Sequence, residues 1–502
     1  MKTNEAAVEQ GFLRRELAEW KCNIVGDLWG GAVTTFALLP EVIGFMLVAG
    51  VHPYMGLYTS ICLTVFLAFF GGRPAMISAG AGSTALVLAG LIREYGLTTP
   101  EYVFAAVMLA GAFQVILGLC RVGSLVRFIP QSVMHGFVNG FALVILVSQL
   151  KLCIGRSAEM YLLIAAGIGI ILLFPLVKKA LPALRQVPES FAAIVLITAY
   201  ALIFHSGVTA IGDMGEVTAG FQYVGYVFRH IGNIFTAECF LAVLPTAVSL
   251  TFVGLIESML TARMVDEETH TGSNKNRECW AEGLGNLLCG ALGAMPGCGM
   301  IAMTVTNLNA GGRGRLSQLT AGVLMAVLLF TLSSFMAAIP LAALCAVMFV
   351  VCFHTLDRDS ILHAARLPVQ DTIVMAMTAV VILASDNLAL GVGVGVVMAA
   401  LFHLLRGRSG LCLSVICLLL AAGFGVCGLL GAGWAFAAAM GFGALGGGFA
   451  VQGARRPALL WLCIAVTVAA AVGASVALHL GPWYTLIDSA ASAGAGSTLY
   501  LN

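Results

Sequence analysis

Long apolar segments follow one another along most of the chain, separated by short polar connections. An apolar stretch of roughly 18–25 residues is long enough to cross a bilayer as a helix. Between residues 24 and 405 this pattern predicts fourteen crossings, at about 27–50, 53–71, 75–92, 102–120, 130–150, 159–176, 190–206, 239–262, 279–293, 297–310, 317–337, 340–355, 370–386 and 388–405. The fold class is therefore predicted to be an all-α polytopic membrane protein.

Two of these segments begin with backbone that is too rich in glycine for a regular helix. They read "SAGAGSTALVLAGLI" (78–92) and "MPGCGMIAMTVTNLNAGG" (295–312). Lipid cannot hydrogen-bond backbone groups, so broken backbone at membrane depth must be buried in protein or line a wet cavity. In both segments we predict a short strand-like lead followed by a half-helix.

A half-helix exposes unpaired N–H groups and the positive end of its dipole inside the membrane. Two such ends that face each other form an anion site without any Lys or Arg. The predicted lining is Gly82, Ser83 and Thr84 at one end, and Gly297, Cys298, Gly299 and Met300 at the other. The alternative is that these glycines only permit close helix packing.

The fourteen crossings divide into two sets of seven, at about 24–206 and 239–405. An odd number in each half predicts an inverted repeat, with the half-helices at equivalent positions. Lys and Arg are concentrated on one side, and the segments of the other side hold Arg93, Lys151, Arg156 and Arg229. By the positive-inside rule, the N-terminal segment 1–23 is cytoplasmic, and we expect the protein in the cell inner membrane.

The chain after Arg408 stays apolar. Residues 409–480 carry two charges, Arg455 and Arg456, and about three further helices are predicted at 411–429, 432–452 and 458–479. The tail at 481–502 then lies outside the membrane-spanning region.

Composition changes the list of functions more than it changes the fold. The chain is 60% hydrophobic and 10% charged, with a net charge of +1, which excludes a basic nucleic-acid surface. Its 14 cysteines are scattered through apolar segments, so we expect no metal site. No phosphate loop, dinucleotide motif or catalytic constellation is visible, so neither a cofactor nor an enzymatic activity is predicted.

Two acidic residues lie inside predicted crossings, where charge is costly and by default functional. Glu41 follows Pro40 near the middle of the first crossing, and Glu257 shares a stripe of the eighth with Gly254 and Thr261. A carboxyl group in a low-dielectric site favours its neutral form, which favours symport of an anion with a proton. Sodium bound by carboxylate, hydroxyl and carbonyl oxygens is the alternative. A structural hydrogen bond to a neighbouring helix also remains open for each acid.

Several motifs in order resemble the SulP sulfate permease family, relatives of solute carrier family 26. They are "LLPEVIGFMLVAGVHPYMGLYTS" (38–60), "GRPAMISAGAGSTALVL" (72–88), "VGLIESMLTARMVDEETHTGSNKNRE" (253–278) and "MPGCGMIAMTVTNLNAGGRGRLS" (295–317). The resemblance implies a nucleobase-permease-like fold of seven plus seven helices and elevator-like secondary transport of a small anion. It also puts Glu257 and Thr261 at the position of a coupling cation, and Phe45 against the substrate.

The sequence departs from the family pattern at two places. Most relatives end with a cytoplasmic STAS domain, whereas this chain continues with apolar segments, and Glu41 stands where many relatives have Gln. Sulfate, bicarbonate and small dicarboxylates are the candidate substrates, with a nucleobase permease or an anion channel as alternatives. The expected partners are the anion, the coupling ion and the lipid bilayer, and a homodimer is left open.

Overall fold

The computed structural model describes residues 20, 23–95, 100–121, 130–181, 187–204, 207–214, 227, 229, 236–331, 333–363, 368–385 and 388–404. The predictions for the N-terminal segment, for the helices at 409–480 and for the tail lie outside these residues, apart from Trp20 and Asn23. The chain divides into two compact groups of residues. One holds Met1–Ile129 with Ser148–Leu356, and the other holds Pro130–Val147 with Asp357–Asn502.

Fourteen main helices of the described residues lie close to the predicted crossings. They are α1 (Ile24–Ala49), α2 (Pro53–Phe70), α3 (Gly82–Tyr95), α4 (Pro100–Leu119), α5 (Gln131–Cys153), α6 (Ala158–Ala180), α7 (Glu189–Ile203), α8 (Ala237–Thr269), α9 (Lys275–Ala291), α10 (Ile301–Asn309), α11 (Arg315–Thr331), α12 (Leu341–Thr355), α13 (Val369–Ser385) and α14 (Leu388–Leu404). Two strands, β1 (Ser78–Ala79) and β2 (Cys298–Gly299), precede α3 and α10. Short helical turns occur at Ile211–Met214, Ser333–Ala337 and Arg358–His363.

Six of the described helices are long and apolar enough to cross a membrane, namely α1, α2, α4, α5, α6 and α8. α10 is much shorter, at 9 residues. At 1.5 Å per residue it is about 14 Å long, roughly half of a hydrocarbon core. α3 has 14 residues and is about 21 Å long, so it extends further than the predicted half-helix.

α1 is largely enclosed by other helices of the first group. It begins where the Asn23 side chain accepts a hydrogen bond from the Gly26 N–H, and it ends at Gly50 in the left-handed conformation. Pro40 lies inside it and removes one helical hydrogen bond just before Glu41. The helix packs against α2, α3, α10, α11 and α12, so Glu41 is held among other helices.

α4 and α9 approach each other closely enough for backbone contact. A Cβ atom added to Gly111 would lie 2.6 Å from the Gly283 carbonyl oxygen, and one added to Gly283 would lie 2.5 Å from the Val115 nitrogen. Only glycine fits at such a crossing, which is the small-residue packing typical of membrane helices. This crossing fixes α9 against α4 inside the first group.

The connection between α8 and α9 is a short and mostly exposed turn. α8 continues to Thr269, and Asp266 near its end forms an ion pair with Arg73 at 3.1 Å. Glu278 is fully buried, and its Oε2 accepts hydrogen bonds from the N–H groups of Gly72 at 2.5 Å and Arg73 at 2.9 Å. The two ends of this connection thus supply the charged and polar partners that the buried Arg73 and Glu278 need.

The second group contains α13, α14 and the first part of α5. Near the start of α5, His135 Nδ1 lies 2.5 Å from Asp357 Oδ2, and Asn139 accepts a hydrogen bond from the Asp357 N–H at 2.9 Å. Asn139 also donates to the Ser360 hydroxyl at 3.1 Å. None of the site residues predicted from the sequence belongs to this group.

Candidate functional site

β1 with α3 and β2 with α10 form two strand–helix units, which meet through their strands. β1 and β2 pair antiparallel, with Ser78 opposite Gly299 and Ala79 opposite Cys298. α3 begins three residues after β1 and α10 begins two residues after β2. Both predicted leads are therefore real strands, and their pairing brings the starts of the two helices together inside the first group.

Glu257 on α8 joins the two units. The Ser83 hydroxyl at the start of α3 and the Cys298 thiol on β2 both donate hydrogen bonds to Glu257 Oε2, the latter at 3.1 Å. The Ser83 oxygen and the Cys298 sulfur are 3.7 Å apart. Ser83 and Cys298, which the sequence placed at different ends of the site, thus donate to the same oxygen of Glu257.

At the start of α3, the backbone keeps donors available. The first helical hydrogen bond runs from the Ala85 N–H to the Ala81 carbonyl at 3.0 Å, so the N–H groups of residues 82–84 precede it. The Thr84 hydroxyl lies 3.0 Å from the carbonyl oxygens of Ala81 and Pro296. Thr84 therefore links the start of α3 to the segment that precedes β2. The predicted anion donors at this end are backbone N–H groups and Ser83.

At the start of α10, the structure corrects which backbone groups are free. The sequence placed residues 297–300 at the anion, but three of their N–H groups are already bonded within the protein. Gly297 donates to Asn286 Oδ1 at 2.9 Å, Gly299 to the Ser258 hydroxyl at 2.7 Å, and Met300 to the Ile77 carbonyl at 2.8 Å.

Cys298 lies in the strand pair, opposite Ala79. The first helical hydrogen bond of α10 runs from the Thr304 N–H to the Met300 carbonyl at 3.0 Å. The available N–H groups are therefore those of residues 301–303, and the prediction missed them because the chain runs through a strand before the helix begins.

Side chains of α8 and α9 hold β2 in place. Asn286 donates to the Gly297 carbonyl at 3.0 Å as well as accepting from its N–H, and it also donates to Gln114 Oε1 at 2.9 Å. The Thr261 hydroxyl lies 3.0 Å from the Gly299 carbonyl oxygen. Thr261, assigned to cation coupling by resemblance, thus contacts the strand directly.

Close approach also requires glycine at one position of this strand entry. A Cβ atom on Gly297 would lie 2.3 Å from the Ala79 carbonyl oxygen, which is backbone and cannot move aside. Glycine packing, the alternative considered for these residues, is therefore correct for Gly297. It does not account for the hydrogen bonds of Ser83 and Cys298 to Glu257.

Glu41 and Phe45 are both buried on α1. Glu41 Oε2 has no hydrogen-bond partner among the residues that the structure describes, and Glu257 is near enough to repel it electrostatically. α1 packs against α3, so the two residues lie on a helix next to one of the two strand–helix units. The structure brings Glu41 towards Glu257, and Phe45 lies one turn further along α1.

The buried cations of the described chain lie elsewhere. Arg73 binds Asp266, Thr269 and Thr271, and Arg315 donates to the Ala68 carbonyl at 3.2 Å. Neither appears among the groups that act on Glu257. Among the described residues, the positive potential at the starts of α3 and α10 therefore comes from backbone N–H groups and helix ends.

Several functional candidates were missed by the sequence reasoning. Ser258, Glu282 and Asn286 are buried around β2. A signal was present, since Glu278, Glu282 and Asn286 recur every four residues in "ECWAEGLGN" (278–286) and so share one face of α9. Polar residues at this spacing in an apolar segment indicate a face directed into the protein.

Comparison with known proteins agrees with the geometry. The model of the sulfate permease family matches residues 24–378. The putative sulfate transporter YbaR of Bacillus subtilis is 41% identical over 388 residues, covering 77% of this chain and 78% of its own. The bicarbonate transporter BicA of Picosynechococcus is 29% identical over 400 residues, which are 75% of this chain and 69% of its own.

Solved structures show the same relationship. The transmembrane domain of a cyanobacterial bicarbonate transporter BicA superposes with a TM-score of 0.64 at 26% identity, over 75% of this chain and 97% of that one. SLC26A9 shares the fold with a TM-score of 0.65 at 18% identity, over 78% of this chain and 66% of that one. The chain belongs to the sulfate permease family, whose members are integral membrane anion transporters and not enzymes.

Proposed function

We propose that this protein is a secondary active transporter that carries a small anion together with a proton. The observation that supports this most directly is Glu257, which accepts hydrogen bonds from both strand–helix units through one oxygen. Sulfate, bicarbonate and small dicarboxylates are the candidate substrates, because relatives are named as sulfate and bicarbonate transporters.

The anion would bind between the starts of α3 and α10. The N–H groups of residues 82–84 and 301–303 precede the first hydrogen bonds of the two helices, and helix N-termini favour negative charge. The Ser83 hydroxyl can turn from Glu257 towards the anion when the carboxyl group no longer accepts its hydrogen bond. Such a site recognises an anion by charge and oxygen geometry, without arginine.

Proton coupling follows from the position of the carboxyl group. An anion bound between the starts of α3 and α10 would lie near Glu257, and two like charges in a low-dielectric site repel each other strongly. Protonation of Glu257 removes that repulsion, so the anion and the proton bind together and cross the membrane together. Sodium, held by Glu257 and nearby oxygens such as the Gly299 carbonyl, is the alternative coupling ion.

The remaining topology is part of the same proposal. We interpret residues 24–206 and 239–405 as inverted repeats. Each contains a short strand followed by a helix, and the two strands pair antiparallel. The cytoplasmic N-terminus and the inner-membrane location rest on the positive-inside rule. Elevator-like movement is a prediction from the family resemblance, and a homodimer stays open.

Uptake of labelled substrates by proteoliposomes tests the proposal. Sulfate, bicarbonate, a four-carbon dicarboxylate and a nucleobase are supplied at equal pH on both sides or with a lower external pH, with and without sodium. We expect one class of anion to accumulate above its external concentration only when the external pH is lower. Accumulation that requires sodium would show that sodium, not the proton, is the coupling ion. Uptake of the nucleobase would show that the substrate is not an anion. Electrical current without accumulation would indicate a channel.

A further inference from the structure

A further acidic residue lies behind β2 and has no role in the proposed anion and proton site. Glu282 on α9 is fully buried, and neither of its carboxyl oxygens has a hydrogen bond of good geometry to a described residue. Its Oε1 lies 3.6 Å from the position that a Cβ atom of Gly254 would occupy. Gly254 precedes Glu257 by one turn of α8, so Glu282 is directed at the helix that carries the coupling candidate.

Glu278, one turn earlier on α9, is a built-in reference for Glu282. It is equally buried, but its Oε2 accepts two backbone N–H groups, and Arg315 and Arg277 act on it electrostatically. Glu278 therefore has the partners that a buried carboxylate needs. Glu282 shares its helix and its burial but not these partners, so it cannot be assigned the same structural role.

The groups around Glu282 come from three elements. α8 contributes Glu257 and the Ser258 hydroxyl, and β2 contributes Cys298, on which both acids act. From α9 itself, Glu278 and Cys279 face it. α4 brings the Gln114 amide, whose nitrogen lies near the same Gly254.

No Lys or Arg acts on Glu282 among the described residues. A buried carboxylate without a cation costs much free energy, and a second acid nearby increases that cost. A proton is the counter-charge that such a site can hold without rearrangement.

We propose that Glu282 is a second proton-accepting residue, which takes the proton from Glu257 after the anion has left. This rests on the proposed proton coupling. In the transfer, the proton leaves a Glu257 oxygen and binds a Glu282 oxygen, so that Glu257 becomes ionised and Glu282 neutral.

The place of Glu282 along α9 gives the transfer a direction. It lies seven residues after Lys275, about 10 Å along the helix from the end that the positive-inside rule assigns to the cytoplasm. Glu282 thus passes the proton towards the side where the anion is released. Glu257 becomes ionised again before the empty carrier returns.

The test compares Glu282→Gln with the unchanged full chain in proteoliposomes that contain a pH-sensitive dye. Gln keeps the size of Glu and its ability to bond with Ser258, but it cannot carry a proton. We expect anion-for-anion exchange, which moves no net proton, to stay unchanged. Anion-driven acidification of the lumen should slow by about 100-fold, the usual cost of losing a positioned proton-transfer group. Glu282→Asp should restore part of that rate.

The control is Glu267→Gln, which removes an exposed acid of α8 paired with Arg263. It should match the unchanged protein in both assays. Normal acidification in Glu282→Gln would overturn the proposal, and so would an equal loss of exchange and acidification in both Glu282 variants, since that indicates a structural role. If the unchanged protein itself exchanges anions without acidification, the proton-coupled function is wrong and Glu282 has no proton to pass on.

Discussion

The two strand–helix units look alike in the sequence but are held by different partners. At the first unit, the Gly80 N–H donates to the Ser60 hydroxyl of α2 at 3.2 Å, and the N–H groups that follow are left for the helix start. At the second, Asn286, Ser258 and Thr261 contact the backbone of β2 from α9 and α8. Both helix starts keep N–H groups, but the backbone at β2 is bonded to three side chains of α8 and α9.

This difference assigns separate tasks to the two units. The start of α3 offers backbone N–H groups and the Ser83 hydroxyl, so it is the better anion-binding end. β2 is fixed to the helices that carry Glu257 and Glu282, so it positions the residues of coupling. The comparison therefore predicts that changes at α3 affect binding first, whereas changes around β2 affect coupling or stability first.

The largest effect is expected from Gly82→Leu at the start of α3. The leucine side chain would cover the N–H groups of residues 82–84, each worth roughly 1.5–3 kcal/mol when bonded to a charged ligand. Loss of two such bonds corresponds to a fall of about 100-fold or more in anion affinity. Substrate uptake by proteoliposomes should be abolished, while membrane insertion stays normal.

Gly90→Leu is the matched control for this variant. Gly90 lies on the same helix, is exposed, and has no atom within 4 Å of a Cβ position. It should transport normally. Normal transport by Gly82→Leu would remove the start of α3 from the anion site and return its glycines to packing alone.

The second largest effect is expected from Glu257→Gln. The amide cannot be ionised, so the coupling cycle loses its proton carrier and uptake should no longer be concentrative or respond to a pH gradient. Exchange of one anion for another should persist, because the amide still bonds to Ser83. Uptake is measured at equal and at lower external pH. Accumulation that still follows the pH gradient would exclude Glu257 as the carrier.

The sequence predicts much of this comparison but not its asymmetry. Helix positions, the two glycine-rich leads and the importance of Glu257 follow from apolar length, from broken backbone in lipid and from the cost of buried charge. Each of these is a local property of a segment. The family match and the described helices agree with them.

What could not be predicted depends on contacts between distant segments. Ser258 and Asn286 bond to β2 across 41 and 11 residues of chain, and Glu278 binds Gly72 across 206. Nothing local distinguishes the paired Glu278 from the unpaired Glu282. Burial and pairing decide their roles, and both are consequences of the tertiary packing of α4, α8 and α9.

A third prediction concerns the residue that holds β2 most extensively. Asn286→Ala would leave the Gly297 N–H and carbonyl oxygen without their partner in a buried place, at roughly 1–3 kcal/mol for each group. We expect a lower melting temperature in detergent and slower transport, without a change in the preferred anion. Asn309→Ala, at the exposed end of α10, is the control. An unchanged melting temperature would show that β2 does not depend on Asn286.

The smallest effect is expected from Glu41→Gln on α1. Glu41 acts on the site through its charge, because it repels Glu257 while its Oε2 has no hydrogen-bond partner among the described residues. A negative charge near the site, partly screened by the protein, weakens binding of a dianion by roughly 1–2 kcal/mol more than that of a monoanion. Glu41→Gln should therefore favour sulfate over bicarbonate by about tenfold, with proton coupling retained. Competition between the two labelled anions measures this ratio. Because the effect requires an ionised Glu41, it should grow as the pH of the assay rises. An identical ratio at every pH would leave Glu41 with a structural role only, and the selectivity of the site would then have to come from the starts of α3 and α10.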